Sequence, residues 1–143
     1  MNCLYVYDKC DLYSVFKTTF QTEYYLTCLN VRKFRIGLAR FRCSSHDLNI
    51  EKGRYANIDR NCRICPLCNL NAVEDEFHFV MICPFYAALR QKYINQKYYV
   101  HPNLRTFSAL LNSENQIEIK RLSMYIFYAS TYRGSVIWYV NSS

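Results

Sequence analysis

The sequence predicts a small, mainly α-helical fold organised around one metal-binding knuckle. Glycine and proline number only 3 each among 143 residues, and apolar residues recur at helical spacing along much of the chain. A third observation is the run C-x2-C-x9-H-x4-C, formed by Cys65, Cys68, His78 and Cys83. Hydrophobic residues make up 51% of the chain, which favours a folded protein over a disordered one. We expect residues 1–143 to form a single domain.

The first predicted unit is a pair of helices over 10–43. In 10–29 the helical spacing is carried by Leu12, Val15, Phe16, Thr19 and Leu26. In 30–43 an apolar stripe is formed by Val31, Phe34, Leu38 and Phe41. Asn30 is the expected N-cap of this second helix. Burying the stripe would leave the basic side chains of the helix in solvent, so the pair should have a basic face.

Positive charge is concentrated just before the metal motif. The chain has a net charge of +7, and residues 31–63 hold nine basic and three acidic side chains. Such a cluster indicates nucleic-acid binding through phosphates, although a solvated helix face would look the same. The residues expected to contact RNA or DNA are Arg32, Lys33, Arg35, Arg40, Arg42, Lys52 and Arg54.

Residues 44–95 form the expected zinc-binding core. Residues 44–63 look irregular, with Gly53 at a turn, and a short helix is expected over 74–80. Its first turn is acidic, and Asn71 with Glu74 resembles a capping box. His78 should end this helix, while Pro84 should start a new one over 84–95.

The spacing of the motif favours Zn²⁺ as the cofactor. Two thiols separated by two residues can bind one side of a metal, and a downstream His and Cys can complete a tetrahedron. Zinc sites filled by four protein ligands are structural, so the motif argues against a catalytic metal. Cys62 forms a rival C-x2-C pair with Cys65 and is the best substitute ligand. The remaining cysteines are expected to be unpaired thiols of a reducing compartment.

The final predicted unit, 96–143, is a helical pair followed by a short tail. Helices are expected over 103–112 and 115–132, each with an apolar face that packs into the core. The tyrosines at helical spacing are expected mainly in the core, although they could also stack on bases. The residues after Gly134 give no clear pattern.

No catalytic constellation is visible in the chain. It has no glycine-rich phosphate loop and no serine nucleophile elbow, and His46 is expected to cap or pack locally. We therefore expect no enzyme activity and no small-molecule substrate. The N-terminus lacks a basic region followed by a full apolar segment, and no stretch is long enough to span a membrane. An intracellular protein of the cytoplasm or nucleus is the resulting expectation.

Two sequence segments carry a resemblance to a known family. The first is FRCSSHDLNIEKGRY at 41–55, and the second joins RICPLC at 63–68, VEDEFHF at 73–79 and CPFY at 83–86. In this order they resemble the zinc-binding C-terminal region of reverse transcriptases from non-LTR retrotransposons. The resemblance is strongest over 30–95. It implies that Cys65, Cys68, His78 and Cys83 are the metal ligands and that the region helps hold element RNA or target DNA.

The chain departs from that family in one large respect, since the polymerase with its paired aspartates is absent, and so is any endonuclease. The resemblance therefore implies a detached or truncated element tail. Cys62 stands where the family usually has a polar residue. Two functions stay open at the level of sequence: a nucleic-acid-binding zinc module, and a structural or protein-interaction zinc module that docks on an acidic partner.

Overall fold

A computed structural model describes residues 23–142 of the chain. This part is mainly α-helical, as the sequence predicts, and its extended backbone pairs only at one antiparallel bridge between Ile64 and Val73. The α-helices in chain order are α1 (Tyr24–Cys28), α2 (Arg32–Arg42), α3 (Asn49–Tyr55), α4 (Ala87–Tyr93), α5 (Gln96–Tyr99), α6 (Leu104–Leu111) and α7 (Gln116–Ser142). Shorter turns are 3₁₀ at Arg60–Cys62, π at His78–Ile82 and 3₁₀ at Pro84–Tyr86.

The α2 and α7 helices form the most extensive helix pair in the described part of the chain. The predicted stripe of α2 is confirmed at Phe34, Leu38 and Phe41, which are buried, whereas Val31 is exposed. The ring of Phe34 meets that of Phe127 edge to face, with centroids 5.5 Å apart. The packing of α2 against α7 therefore contributes a large part of the core.

The α7 helix is the central helix of the described structure. Its 27 residues span about 40 Å at 1.5 Å per residue. It packs against α4 and α6 as well as α2, and its inward positions include Ile119, Leu122, Ile126 and Ala129. The helix continues beyond the predicted end at 132 to Ser142, through residues that are mostly exposed.

Residues 44–63 are more ordered than the sequence suggests, and the turn expected at Gly53 is wrong. Gly53 lies within α3 and is buried. A Cβ built on it would stand 2.4 Å from Cγ of Arg63. The glycine is therefore required by close packing against Arg63, whose guanidinium bonds to the carbonyls of Ile50 and Ile58.

Two expected caps are also wrong. Val31, not Asn30, precedes α2, and no side chain caps that helix end. Asn71 has a left-handed φ of 53° in the turn before the metal segment, and no capping box joins it to Glu74. Helical backbone begins only at Glu76 and becomes a π turn, so no α-helix spans 74–80. Residues 10–22 of the first predicted helix lie outside the described residues.

The helices predicted over 84–95 and 103–112 are confirmed with small shifts, whereas the short helix Gln96–Tyr99 was not predicted. Pro84 opens a 3₁₀ turn that leads directly into α4, within the predicted 84–95. In α6, Asn103 accepts a hydrogen bond from the Thr106 amide at 2.9 Å, and the Thr106 hydroxyl bonds back to the Asn103 amide. This reciprocal pair is a capping box that fixes the start of the helix.

Candidate metal centre

A short hairpin carries the first two motif cysteines. The amide of Cys65 donates to the carbonyl of Ala72 at 2.9 Å, and the amide of Glu74 donates to Arg63 at 2.9 Å. These bonds hold 63–65 beside 72–74, so residues 66–71 form the connecting loop. Cys68 lies in that loop, three residues after Cys65. The loop reverses the direction of the chain, so the thiols of Cys65 and Cys68 lie on the same side of the hairpin.

A π turn brings the other two motif residues together. The amide of Cys83 donates to the carbonyl of His78 at 2.8 Å, which is a five-residue step rather than the four-residue step of an α-helix. In an α-helix, side chains five residues apart diverge, whereas one wider turn places them nearly in register. The sequence predicts a helix break between them, and the break at Pro84 is present. The wider turn was not predicted.

The four predicted ligands form one cluster. The possible ligand atoms of Cys65, Cys68, His78 and Cys83 all lie within 4.8 Å of one another. Sγ of Cys65 is 3.9 Å from Sγ of Cys83, and Sγ of Cys68 is 3.4 Å from Nε2 of His78. Zn–S bonds of 2.3 Å and Zn–N bonds of 2.0–2.1 Å at tetrahedral angles require about 3.8 Å and about 3.5 Å for these edges. These two distances match the edges of a four-coordinate site, and the cluster could hold one metal ion.

The cluster is enclosed by protein. Cys65, His78 and Cys83 are buried, and Cys68 is half-buried. Cys62 is exposed, at the end of the 3₁₀ turn before the hairpin, and does not belong to the cluster. With four protein donors, the centre has the composition of a closed structural site rather than a catalytic one.

The close contact between Cys65 and Cys83 couples their protonation. The hydrogen bond with Cys83, together with burial, raises the pKa of Cys65 to about 12. The same hydrogen bond lowers the pKa of Cys83. Before metal binds, Cys65 therefore holds its proton more strongly than Cys83 does, and a bound cation would displace the protons of the thiols.

Polar side chains hold the backbone around the cluster. Asp75 accepts a hydrogen bond from the His78 amide at 2.8 Å and so caps the start of the π turn. Arg90, buried on α4, donates to the carbonyls of Val80 at 2.7 Å and Cys83 at 2.8 Å. The Tyr125 hydroxyl donates to the Phe79 carbonyl at 2.6 Å. These bonds fix both ends of the segment that carries His78 and Cys83.

A buried ion pair links this centre to α7. Arg133 bonds to the Glu74 carboxylate through two nitrogens, and Glu74 also accepts from the Asn49 amide at 2.7 Å. The sequence predicts Glu74 in the first turn of a short helix and assigns no role to Arg133. No local pattern joins residues so far apart in the chain, so this contact could not be predicted from sequence.

The segment that begins at Ser44 contacts the acidic residues that precede His78. His46 Nε2 lies 2.7 Å from a Glu76 carboxylate oxygen, and Ser44 donates to the same oxygen at 3.3 Å. Nδ1 of His46 accepts from the Leu48 amide at 3.3 Å. The local contact expected of His46 is present at the Leu48 amide, whereas its contact with Glu76, 30 residues away, does not follow from the sequence. The two sequence segments that carry the resemblance are therefore in direct contact.

The predicted nucleic-acid-binding residues separate into two groups. Arg32, Lys33, Arg40 and Lys52 are exposed, and Arg35 is half-buried while donating to the Leu29 carbonyl at 3.1 Å. Arg54 is held by Glu51 at 3.1 Å, which offsets its charge. Within residues 23–142, the ion pairs do not involve any of the four exposed side chains.

Arg42 is incorrectly predicted as a phosphate contact. Its side chain is 1% exposed, donates to the carbonyl of Leu111 and pairs with Glu23 at 3.4 Å. Its guanidinium carbon also lies 5.2 Å from the Tyr25 ring centroid. It is the last residue of α2, and the helix turns it toward α1 and α6 rather than toward solvent.

Comparisons with protein-family models, with curated proteins and with solved structures found no match to this chain. None of the helices in the described range is both long and apolar enough to cross a membrane.

Proposed function

We propose that the protein is a zinc-binding, nucleic-acid-binding module that contacts RNA or DNA mainly through phosphates and is not catalytic by itself. The observation that carries the zinc proposal is the cluster of three sulfurs and one imidazole, with ligand atoms within 4.8 Å. Three thiolates favour zinc over magnesium or calcium, which prefer oxygen ligands. A closed set of four ligands supports a structural role for the metal.

The nucleic-acid proposal rests on the cations that folding leaves in solvent. Arg32, Lys33 and Arg40 project from α2 without an ion-pair partner in the described chain, and Lys52 adds a fourth charge on α3. Carboxylates neutralise most of the other arginines of this region, including Arg42 and Arg54. The uncompensated charges are suited to phosphates, whose binding releases counterions.

We further propose a relation to the C-terminal region of non-LTR retrotransposon reverse transcriptases. Supporting it is the contact between the two resembling segments, through His46 with Glu76 and Asn49 with Glu74. A decayed polymerase reading frame in the DNA just upstream would test this relation. Unrelated sequence upstream would leave it without support.

Salt-dependent RNA binding tests the function directly. With three to five phosphate contacts, the logarithm of affinity should fall against the logarithm of salt concentration with a slope of about −2 to −4. Arg32→Gln with Lys33→Gln should flatten this slope by about 2 and weaken different sequences alike. The matched control is Lys92→Gln with Arg105→Gln, which removes two exposed charges from α4 and α6 and should leave the slope unchanged.

The alternative function is a structural or protein-interaction zinc module whose cations dock on an acidic protein. RNA binding that is insensitive both to salt and to the α2 double substitution would favour this alternative. Primer-extension and nuclease assays with the purified chain should show no activity. An activity abolished by a single substitution in this chain would contradict the non-catalytic assignment.

A further inference from the structure

A groove of about 310 Å³ lies between α2 and α7 and is closed at one end by the loop before α3. This volume falls at the lower end of the range for small-ligand pockets. Its floor is apolar and is formed by Phe41, Phe79, Ile126 and Phe127. The groove is separate from the metal cluster, since none of the four candidate ligands lines it.

Two helical glycines line this groove. Gly37 on α2 and Gly134 on α7 both line it, and neither has a positive φ. A Cβ built on either glycine meets no atom within 4 Å. Glycine within a helix costs stability relative to alanine, and here neither conformation nor close packing requires it. What the two glycines do provide is an open groove.

The polar groups that line the groove differ in whether they already have an ion-pair partner. His46 and Arg133 reach the groove but are bound to Glu76 and Glu74. Arg40 and Asp47 also line it, are exposed and form no ion pair within residues 23–142. The groove therefore offers one available cation, one available carboxylate and the hydroxyls of Ser45 and Ser130 above an apolar floor, of which the ring of Phe127 is half-buried.

We infer that this groove binds one unstacked base of a single-stranded nucleic acid. The half-buried ring of Phe127 can contact the face of any base, whereas Phe41, Phe79 and Ile126 lie buried beneath it. Arg40 at the rim would meet the adjoining phosphate, while the Asp47 carboxylate, which repels phosphate, can accept from a base amino group. The other exposed cations of α2 would continue the phosphate contacts along the strand. A duplex is too wide for this site, because its bases are paired and stacked.

This inference rests on the proposed nucleic-acid binding and makes it more specific, by naming single strands as the ligand. An abasic strand provides the matched probe, because it keeps the phosphates and removes the bases. We would measure fluorescence anisotropy with a strand of about eight nucleotides, within known single-strand site sizes, and with its abasic counterpart. The wild-type protein should bind the base-containing strand at least about fivefold more tightly, as expected for one stacked base.

Leucine at either glycine should fill the groove without disturbing the helices, since both Cβ positions point into open space. Gly37→Leu and Gly134→Leu should bind the two strands equally and retain the affinity for the abasic strand. Ala109→Leu, at an exposed position of α6, adds a similar volume elsewhere and should keep the preference. Gly37→Ala provides a second check, since it should leave most of the groove open and keep part of the preference.

The results separate the two proposals. If the wild type binds neither strand, the nucleic-acid function fails and the groove inference fails with it. If the wild type binds both strands equally, or if the leucine variants keep its preference for bases, the phosphates alone explain binding and the groove inference is overturned. Loss of base preference in the leucine variants, with abasic affinity intact, supports the inference.

Discussion

Arg133 and Glu74 form a buried two-point ion pair that connects the far part of α7 to the metal-binding hairpin. The distances are 2.9 Å from Nε to Oε2 and 2.7 Å from Nη2 to Oε1, and the side chains are 5% and 1% exposed. Glu74 also accepts the Asn49 amide of α3. One carboxylate therefore joins three segments, and its charge is satisfied only when all three are in place.

Removing either partner of this pair should strongly destabilise the protein. In Arg133→Met the Glu74 carboxylate would remain buried with no countercharge, and the expected loss is about 3–5 kcal/mol of unfolding free energy. Glu74→Gln should cause a similar loss, because it leaves the guanidinium uncompensated. Chemical denaturation of the metal-loaded protein would measure both.

The double variant distinguishes a specific pair from general sensitivity of the site. Glu74→Gln with Arg133→Met leaves neither charge of this pair buried, so the combined loss should be smaller than the sum of the single losses. Additive losses would show that the two side chains act independently and would contradict the pairing.

Metal removal should unfold the hairpin that carries Cys65 and Cys68. The hairpin has few buried residues, whereas the π turn buries Phe79, Val80 and Met81 in the core, so binding and folding should be coupled most strongly in the hairpin. Native mass spectrometry under reducing conditions should find one zinc per chain, and a chelator should lower helicity and thermal stability. Affinity should rise with pH, because zinc displaces protons from the cysteine thiols.

Cys65→Ser and Cys62→Ser form a matched pair for this test. Cys65 lies in the cluster, whereas Cys62 is exposed and outside it. Zinc should be lost in Cys65→Ser and retained in Cys62→Ser. The reverse pattern would move the site to the rival cysteine pair, and a folded protein that binds no zinc would refute the metal centre.

Two glycine substitutions should have opposite effects on stability. Gly53→Ala introduces a methyl group 2.4 Å from Arg63 Cγ, and such overpacking should cost about 1–3 kcal/mol. Gly37→Ala meets nothing within 4 Å and should stabilise α2 by about 0.5–1 kcal/mol. Thermal or chemical unfolding of the two variants side by side would measure this. Equal effects would contradict the different packing of the two glycines.

The parts of the structure that were predicted correctly depend on local sequence. The buried stripe at Phe34, Leu38 and Phe41 follows from helical spacing, and the start at Pro84 follows from the geometry of proline. The ligand cluster was found because metal-binding residues must recur at short spacings. For such features, neighbours in sequence largely determine the structure.

The errors concern features that depend on distant residues. Gly53 was predicted at a turn because glycine often marks one, but here Arg63 requires it inside a helix. Arg42 was assigned to solvent by its charge, but folding brings Leu111 and Glu23 to it. The π turn at His78 depends on anchors from α4 and α7. Single-sequence patterns contain no information about these long-range partners.

Arg42 and Arg32, at opposite ends of α2, should separate stability from nucleic-acid binding. Arg42→Gln removes buried hydrogen bonds to the Leu111 carbonyl and the Glu23 carboxylate, so it should cost at least about 2 kcal/mol of unfolding free energy. Arg32→Gln changes an exposed side chain and should alter stability by no more than about 0.5 kcal/mol, while weakening RNA binding at low salt. Urea denaturation and anisotropy titrations on the same two proteins would measure both properties.

An Arg42→Gln protein as stable as the wild type would contradict the buried role of Arg42. Unchanged RNA affinity in Arg32→Gln would remove that residue from the phosphate-binding surface.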